Sequence, residues 1–348
     1  MAVFLLVLVL GGGLILMAKG GDLFVDSATR IARLARVPEF LIGATVVAVG
    51  TTLPELLTSL TAVGKGIALH DPSAMQELTD VAVGNAVGSM VCNIGLILAL
   101  SFLLRPYEAG GKAFAVKGIF LLACTGVLCA FTCFGGRISS GEGWALIALF
   151  CVYIVINVCE AVYKTKKNSR ADFPAPAAPF HKKSGDFPAP ALEIPTKKGE
   201  PLALVLLFIL GAVCVAAGAL FTVESVSRIC SRLGVEERII SVTVVALGTS
   251  LPELVTAVTS ARKGAGALSL GNILGANVIN GTLLLGLSAV VAGGLNIDPV
   301  TRDYTLWFAL ALAAALVLPL LIFRRTSRAQ GIVLGALYVA AMAFACTL

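Results

Sequence analysis

The sequence predicts an all-α membrane protein with ten transmembrane helices, arranged as two inverted five-helix repeats. Three observations support this fold class: a low content of charge, ten long apolar stretches and an internal duplication. Of the 348 residues, 58% are hydrophobic and only 13% are charged, whereas soluble domains carry about 25% charged residues. So few polar side chains cannot cover a globule in water, and we therefore expect a lipid bilayer around most of the surface.

The composition excludes a soluble enzyme, a disordered chain and a nucleic-acid-binding domain. The net charge of +6 does not indicate nucleic acid, because membrane proteins concentrate basic residues in cytoplasmic loops. The nine cysteines include no CxxC pair and are interpreted as small apolar residues. The spans carry no HExxH, paired-Asp or GxSxG motif, so we expect neither an enzymatic activity nor a cofactor, and we infer no obligate protein partner.

Ten apolar stretches reach the length of about 20 residues that a spanning helix needs. Between the fifth and the sixth stretch, the residues are rich in Pro, Ala and Lys and predict an extended, mobile linker. We therefore divide the chain into a first repeat (1–163), a linker (164–200) and a second repeat (201–348). The predicted spans are 2–19 (continuing to 36), 38–64, 79–104, 114–133, 142–163, 201–223 (continuing to 233), 237–261, 267–293, 304–323 and 330–347.

Two sequence motifs occur twice in the same order. GATVVAVGTTLPELLTSLTA (Gly43–Ala62) recurs as SVTVVALGTSLPELVTAVTS (Ser241–Ser260), 198 residues later. GNAVGSMVCNIGLILAL (Gly84–Leu100) recurs as GNILGANVINGTLLLGL (Gly271–Leu287) at an offset of 187, because the first half carries eleven extra residues between the motifs. This order indicates a duplicated five-helix unit. Because five is odd, the second unit must enter the membrane in the opposite orientation.

The basic residues predict the orientation in the membrane. If both termini lie outside, 19 of the 26 Lys and Arg residues fall on the inner side and 7 on the outer side. The positive-inside rule therefore favours a multi-pass protein of the plasma (inner) membrane with both termini outside and the linker 164–200 in the cytoplasm. Inverted repeats are typical of secondary transporters, whose binding site lies near the midplane where the repeats meet.

Two acidic residues, Glu55 and Glu253, lie deep within predicted spans at equivalent positions of the repeat. Ionisable groups in the hydrocarbon core are costly and mark functional sites. Each glutamate follows a proline, which has no N–H for the carbonyl four residues earlier. We therefore expect each helix to be broken here, with bare carbonyl oxygens beside the carboxylate, a geometry that membranes tolerate only around a polar cavity.

Hydroxyl and amide side chains surround these glutamates in the sequence pattern. Thr51 and Thr249 lie one helical turn before them, and Ser89, Asn93 and Asn280 lie on the helix that follows in each repeat. Oxygen donors without His or Cys are typical of a Ca²⁺ site and not of a zinc or copper site. Two carboxylates balance the charge of Ca²⁺ and repel each other without it, so we expect Na⁺ or protons to replace Ca²⁺ in an exchange.

Other interpretations stay open for some of these residues. Single Ser and Thr side chains in membrane helices most often bond their own backbone. The two asparagines could instead link helices through hydrogen bonds. Close helix packing is the better explanation for the small-xxx-small pairs formed by Gly84, Gly88, Gly271 and Gly275.

The motifs GTTLPE with GTSLPE, and GNAVGS with GNILGAN, resemble the two alpha-repeats of the calcium/cation antiporter superfamily, in particular the compact bacterial and archaeal sodium/calcium exchangers. The resemblance covers nearly the whole chain outside the linker. It implies that Glu55 and Glu253 bind Ca²⁺ centrally and that the long first and sixth helices slide across the other eight. The other ligand positions that it implies are Thr51 and Thr249, the carbonyls of Ala48 and Ala246, the hydroxyls of Thr52, Ser250 and Ser89, and the amides of Asn93 and Asn280.

Three residues depart from the expected pattern. Asn280 stands where several sodium/calcium exchangers have Asp, Ala276 where a Ser is common, and Met90 where an Asn is frequent. These departures leave the Na⁺ stoichiometry open. The sequence thus predicts an antiporter that exchanges Ca²⁺ for Na⁺ across the bilayer, with Ca²⁺/H⁺ exchange as the alternative. A passive cation channel is less favoured, because channels usually gather several like subunits around a pore.

Overall fold

The computed structural model describes residues 3–109, 111–168, 200–233 and 246–347. Within these ranges the chain forms ten long helical segments, as the sequence predicts. Eight of them are long and apolar enough to cross a membrane. The ten segments are α1 (Val3–Leu34), α2 (Glu39–Leu69), α3 (72–104), α4 (Lys112–Gly135), α5 (Ser140–Asn168), α6 (Glu200–Arg232), α7 (Leu251–Lys263), α8 (Gly266–Ala292), α9 (Thr301–Phe323) and α10 (Arg328–Thr347).

The remaining two segments are α7 and α10. A short helical segment, Ala246–Thr249, precedes α7, and the earlier part of the seventh predicted span lies outside the described residues. In α10 the apolar helix Arg328–Phe344 is shorter than the other spans. Most of the predicted linker, 169–199, also lies outside the described residues.

Some helix ends differ from those that hydropathy predicts. Both predicted continuations are confirmed, since α1 and α6 run on to Leu34 and Arg232 and contain 32 and 33 residues. The predicted start of the third span at 79 is wrong, because α3 begins at Pro72. The Asp71 carboxylate accepts a hydrogen bond from the Ser73 backbone N–H at 3.0 Å, and a proline fits the first helical turn. Hydropathy does not detect a polar first turn of this kind.

Helices α1 and α6 pack together through glycines. A Cβ added to Gly211 would lie 2.7 Å from the Phe24 backbone nitrogen and 3.0 Å from the Gly20 oxygen, and one added to Gly218 would lie 2.7 Å from the Gly13 oxygen. The early part of α1 therefore contacts the late part of α6, so the two helices run antiparallel. Small residues allow this close approach in a membrane, where apolar burial alone does not drive helices together.

Contacts between loops repeat on opposite faces of the molecule. The α3–α4 loop meets the α9–α10 loop, where the Thr326 backbone N–H donates to the Tyr107 oxygen at 2.9 Å. The α4–α5 loop meets the α8–α9 loop, where β1 (Arg137–Ile138) pairs antiparallel with β2 (Leu295–Asn296). The repeat relates α3, α4 and α5 to α8, α9 and α10, so each contact becomes the other when the two repeats are exchanged. The two five-helix repeats are therefore inverted, as the sequence predicts.

Helices α3 and α8 form the centre of the fold, with most of their residues buried. Both contain a π-helical turn at equivalent places, Asn93–Leu98 in α3 and Ile279–Leu284 in α8. Such turns are often found at functional sites, because they rotate the side chains that follow. A third π-turn, Gly43–Val47, lies in α2 where that helix packs on α8.

Candidate cation-binding site

The backbone before the two glutamates differs between the repeats. In the first repeat, α2 continues through Pro54 without a break, so the predicted broken helix is wrong there. In the second repeat, Ser250 leaves the helical conformation (φ −87°, ψ 4°) and separates Ala246–Thr249 from α7. The expected break is therefore present in one half only. In both halves the proline removes the N–H that a regular helix would use at this point.

Glu55 and Glu253 are completely buried, each with 0% exposure, and they are close enough to interact electrostatically. The Thr52 hydroxyl donates to Glu253 Oε1 at 3.4 Å. Among the described residues, Glu253 Oε2 and both carboxylate oxygens of Glu55 have no hydrogen-bond partner. Buried charged groups are normally paired, so these oxygens are open to a cation.

Two hydrogen bonds between the repeats mirror each other. The Thr51 hydroxyl donates to Asn272 Oδ1 and the Thr249 hydroxyl donates to Asn85 Oδ1, both at 3.1 Å. Asn85 Nδ2 also donates to the Glu55 backbone oxygen at 3.2 Å. Sequence reasoning missed both asparagines, although the repeated GN dipeptide contains them. Each half-site thus positions the threonine of the other.

Thr52 and Ser250, which follow these threonines in the chain, carry hydroxyls with different hydrogen-bond partners. Ser250 donates to the Ser89 hydroxyl at 3.2 Å. By the repeat, the partner of Thr52 would be Ala276, which carries no hydroxyl, and Thr52 bonds Glu253 instead. The departure at Ala276 therefore changes the hydrogen bonding of a carboxylate.

The remaining predicted positions lie in the same region. Asn93 and Asn280 are fully buried in α3 and α8, and the Ala48 carbonyl accepts a hydrogen bond from Thr51 at 3.4 Å. Ala246 begins the short helical segment before α7, and its side chain lies outside the described residues. The direct contacts between predicted positions form three pairs: Thr51 with Ala48, Thr52 with Glu253, and Ser250 with Ser89.

The donor set is anionic and contains only oxygen and amide groups. Within the described ranges, no salt bridge involves Glu55 or Glu253, so no Lys or Arg neutralises them. The same ranges contain no group of three or more His, Cys, Asp or Glu side chains that could hold a metal ion. Two carboxylates with neutral oxygens suit a hard cation such as Ca²⁺ or Na⁺.

Comparison with known proteins gives matches that cover most of the chain. The profile of the family described as sodium/calcium exchanger protein matches residues 5–159 and 203–347. The sodium/calcium exchanger MaX1 of Methanosarcina acetivorans is 31% identical over 94% of this chain and 95% of its own length. The inner membrane protein YrbG of Escherichia coli (strain K12) is 29% identical over 88% and 86%, respectively. A solved structure of the sodium-calcium exchanger NCX_Mj, soaked with Na⁺ and Sr²⁺, matches with a TM-score of 0.78 and 29% identity, covering 98% of this chain and 99% of that chain.

Proposed function

Because the chain belongs to the sodium/calcium exchanger family, we propose that it expels Ca²⁺ in exchange for Na⁺ across the plasma membrane by alternating access. As a member of this family it is a multi-pass membrane transporter and not an enzyme. The observation that supports this function best is the pair of buried glutamates, whose unpartnered oxygens face no basic side chain among the described residues. Such a pair is unfavourable in a membrane unless a cation compensates it.

The proposed mechanism is competition between ions for the same oxygens. One Ca²⁺ neutralises two carboxylates, and Na⁺ ions replace it on return. Without an ion, the two carboxylates repel each other in a low-dielectric site, so the unloaded protein crosses between its two states poorly. Exchange is obligatory for that reason. The proposed ligands are Glu55, Glu253, Thr51, Thr249, Thr52, Ser250, Ser89, Asn93 and Asn280, with the carbonyls of Ala48 and Ala246.

Access changes when α1 and α6 move as a pair. These helices are long, with 32 and 33 residues, and their glycines bring them into backbone contact with each other. We expect this pair to slide across the other eight helices and to open the site to one side of the membrane at a time. The two inverted repeats give equivalent routes to the two sides.

Ca²⁺ flux in proteoliposomes tests the coupling ion. We expect an inward-directed Ca²⁺ uptake, followed with ⁴⁵Ca, when a Na⁺ gradient is imposed, and no uptake when only a pH gradient is imposed. Uptake driven by the pH gradient would instead assign Ca²⁺/H⁺ exchange, the alternative that Asn280 leaves open because the predicted ligand set then has two carboxylates as its acidic groups. Equilibration of Ca²⁺ without any counter-ion would contradict both and indicate a channel.

We further propose that the linker 164–200 is cytoplasmic and that both termini are outside. A protease site inserted between Phe180 and His181 is expected to be cut in inside-out vesicles and to resist cleavage in right-side-out vesicles. A matched site added after Leu348 should show the opposite pattern. Cleavage of the linker site in right-side-out vesicles only would reverse the proposed orientation.

A further inference from the structure

Asn93 and Asn280 occupy equivalent positions of the two repeats but have different surroundings. Asn93 Nδ2 donates to Asn277 Oδ1 at 3.0 Å, across the interface between α3 and α8. Among the described residues, neither Nδ2 nor Oδ1 of Asn280 has a hydrogen-bond partner. All three asparagines are fully buried. The two half-sites therefore hold their asparagines differently.

The hydrogen bonds around Asn277 determine which end of Asn93 is bonded. Asn277 Nδ2 donates to the Met90 backbone oxygen at 3.2 Å. A carbonyl only accepts hydrogen bonds, so Asn277 must turn its NH₂ group to Met90 and its oxygen to Asn93. Asn93 must then present its own NH₂ group to that oxygen. Its Oδ1 is left buried and, among the described residues, without a partner.

The first repeat lacks an equivalent of this arrangement. The offset of 187 residues places Met90 at the position of Asn277. Met90 is also buried, at 2% exposure, but its thioether cannot donate and accepts only weakly. Among the described residues, Asn280 consequently has no hydrogen-bond partner that distinguishes its oxygen from its nitrogen.

We propose that Asn277 is a positioning residue that fixes the amide of Asn93 with its oxygen available to the transported cation, and that Met90 leaves Asn280 without this control. The half-sites are then inequivalent, and Asn93 contributes a better oriented oxygen than Asn280. This inference rests on the proposed function, because it requires a cation in the site. Groups that orient a metal ligand through a hydrogen bond commonly change metal affinity by about 10- to 100-fold when removed.

A double-mutant cycle tests the role of Asn277. In reconstituted full-length protein, Asn277→Leu is expected to raise the KM for Ca²⁺ about tenfold with little change in the maximal rate. Asn93→Ala should have a similar effect, and the double variant should be no worse than Asn93→Ala alone. Effects on KM that multiply in the double variant would overturn the inference, because Asn277 would then act independently of Asn93.

A second variant, Met90→Asn, tests the inference at the equivalent position of the other repeat. Asparagine is smaller than methionine and therefore fits the space that Met90 occupies. Met90→Asn should let residue 90 orient Asn280, and Asn280→Ala should then raise the KM for Ca²⁺ more strongly in the Met90→Asn background than in the natural sequence. An equal effect of Asn280→Ala in both backgrounds would contradict the proposal.

The matched control is Asn157→Leu. Asn157 is another buried asparagine whose Nδ2 donates to a backbone carbonyl, that of Tyr153 at 2.7 Å, but it lies in α5 outside the proposed ligand set. We expect this control to leave the KM for Ca²⁺ unchanged. If Glu55→Gln stays active, the proposed function fails. If Glu55→Gln is inactive while Asn277→Leu keeps the natural KM, only this inference fails.

Discussion

Glu55→Gln and Glu253→Gln are each expected to reduce Ca²⁺ transport at least about 100-fold. Two unit charges about 4 Å apart at an effective dielectric of about 20 interact by about 4 kcal/mol, and the divalent ion doubles this interaction. Loss of one carboxylate therefore removes far more than the about 1.4 kcal/mol that a tenfold change represents. The measurement is the initial rate of Na⁺-driven ⁴⁵Ca uptake per amount of reconstituted protein.

The stability of these variants separates a loss of binding from misfolding. Glutamine has the shape of glutamate without its charge, and removal of an uncompensated buried charge does not destabilise a fold. The thermal midpoint in detergent should thus stay unchanged or rise while transport is lost. Glu77→Gln is the matched control, because Glu77 is exposed near the start of α3, and it should transport normally. Near-normal uptake by either Glu55→Gln or Glu253→Gln would contradict the proposed site.

The sequence was sufficient to predict the ten helices and their inversion, because a duplication of five spans allows one arrangement only. It was not sufficient to predict where the helices break. GTTLPE and GTSLPE are nearly identical, yet the first lies in a continuous helix and the second follows a break at Ser250. The Ser250 hydroxyl bonds Ser89, a contact that Ala276 cannot offer to Thr52. The two motifs thus differ in backbone conformation and also in their side-chain contacts with another helix, which the motif sequence alone does not show.

The same limit applies to the candidate site. The two glutamates and the hydroxyls near them could be predicted, because acidic residues are rare in spans and the repeat marks their neighbours. Asn85, Asn272 and Asn277 were missed, because they act through hydrogen bonds with helices more than 160 residues away in sequence. The GN dipeptides could have indicated the first two. A single sequence gives no comparable signal for Asn277, because its equivalent in the repeat is a methionine.

Close packing of α8 on α2 supports the site from behind. A Cβ added to Gly271 would lie 2.1 Å from the Phe40 backbone oxygen, and one added to Gly275 would lie 2.6 Å from the Ala44 oxygen. The expected close packing of these two glycines is confirmed. For Gly84 and Gly88, the equivalent partners fall within 234–245, outside the described residues, so their packing remains a prediction.

Gly271→Ala is expected to destabilise the protein by about 3 kcal/mol, the upper end of the cost of overpacking, and to reduce Ca²⁺ transport at least about tenfold. The new methyl group would meet backbone atoms of α2, which cannot turn aside as the end of a side chain can, so the two helices must separate. Asn272 follows directly in the chain, and its hydrogen bond with Thr51 is lost when α8 moves away from α2. The measurements are the thermal midpoint in detergent and the rate of ⁴⁵Ca uptake.

The matched control for this substitution is Gly126→Ala in α4. Among the described residues, no atom lies within 4 Å of the position that its Cβ would take. Alanine is about 1 kcal/mol more favourable than glycine inside a helix, so this control should keep or raise the thermal midpoint and transport normally. If Gly271→Ala also kept both properties, α2 and α8 would tolerate separation, and their close contact would not be what holds Thr51 and Asn272 together.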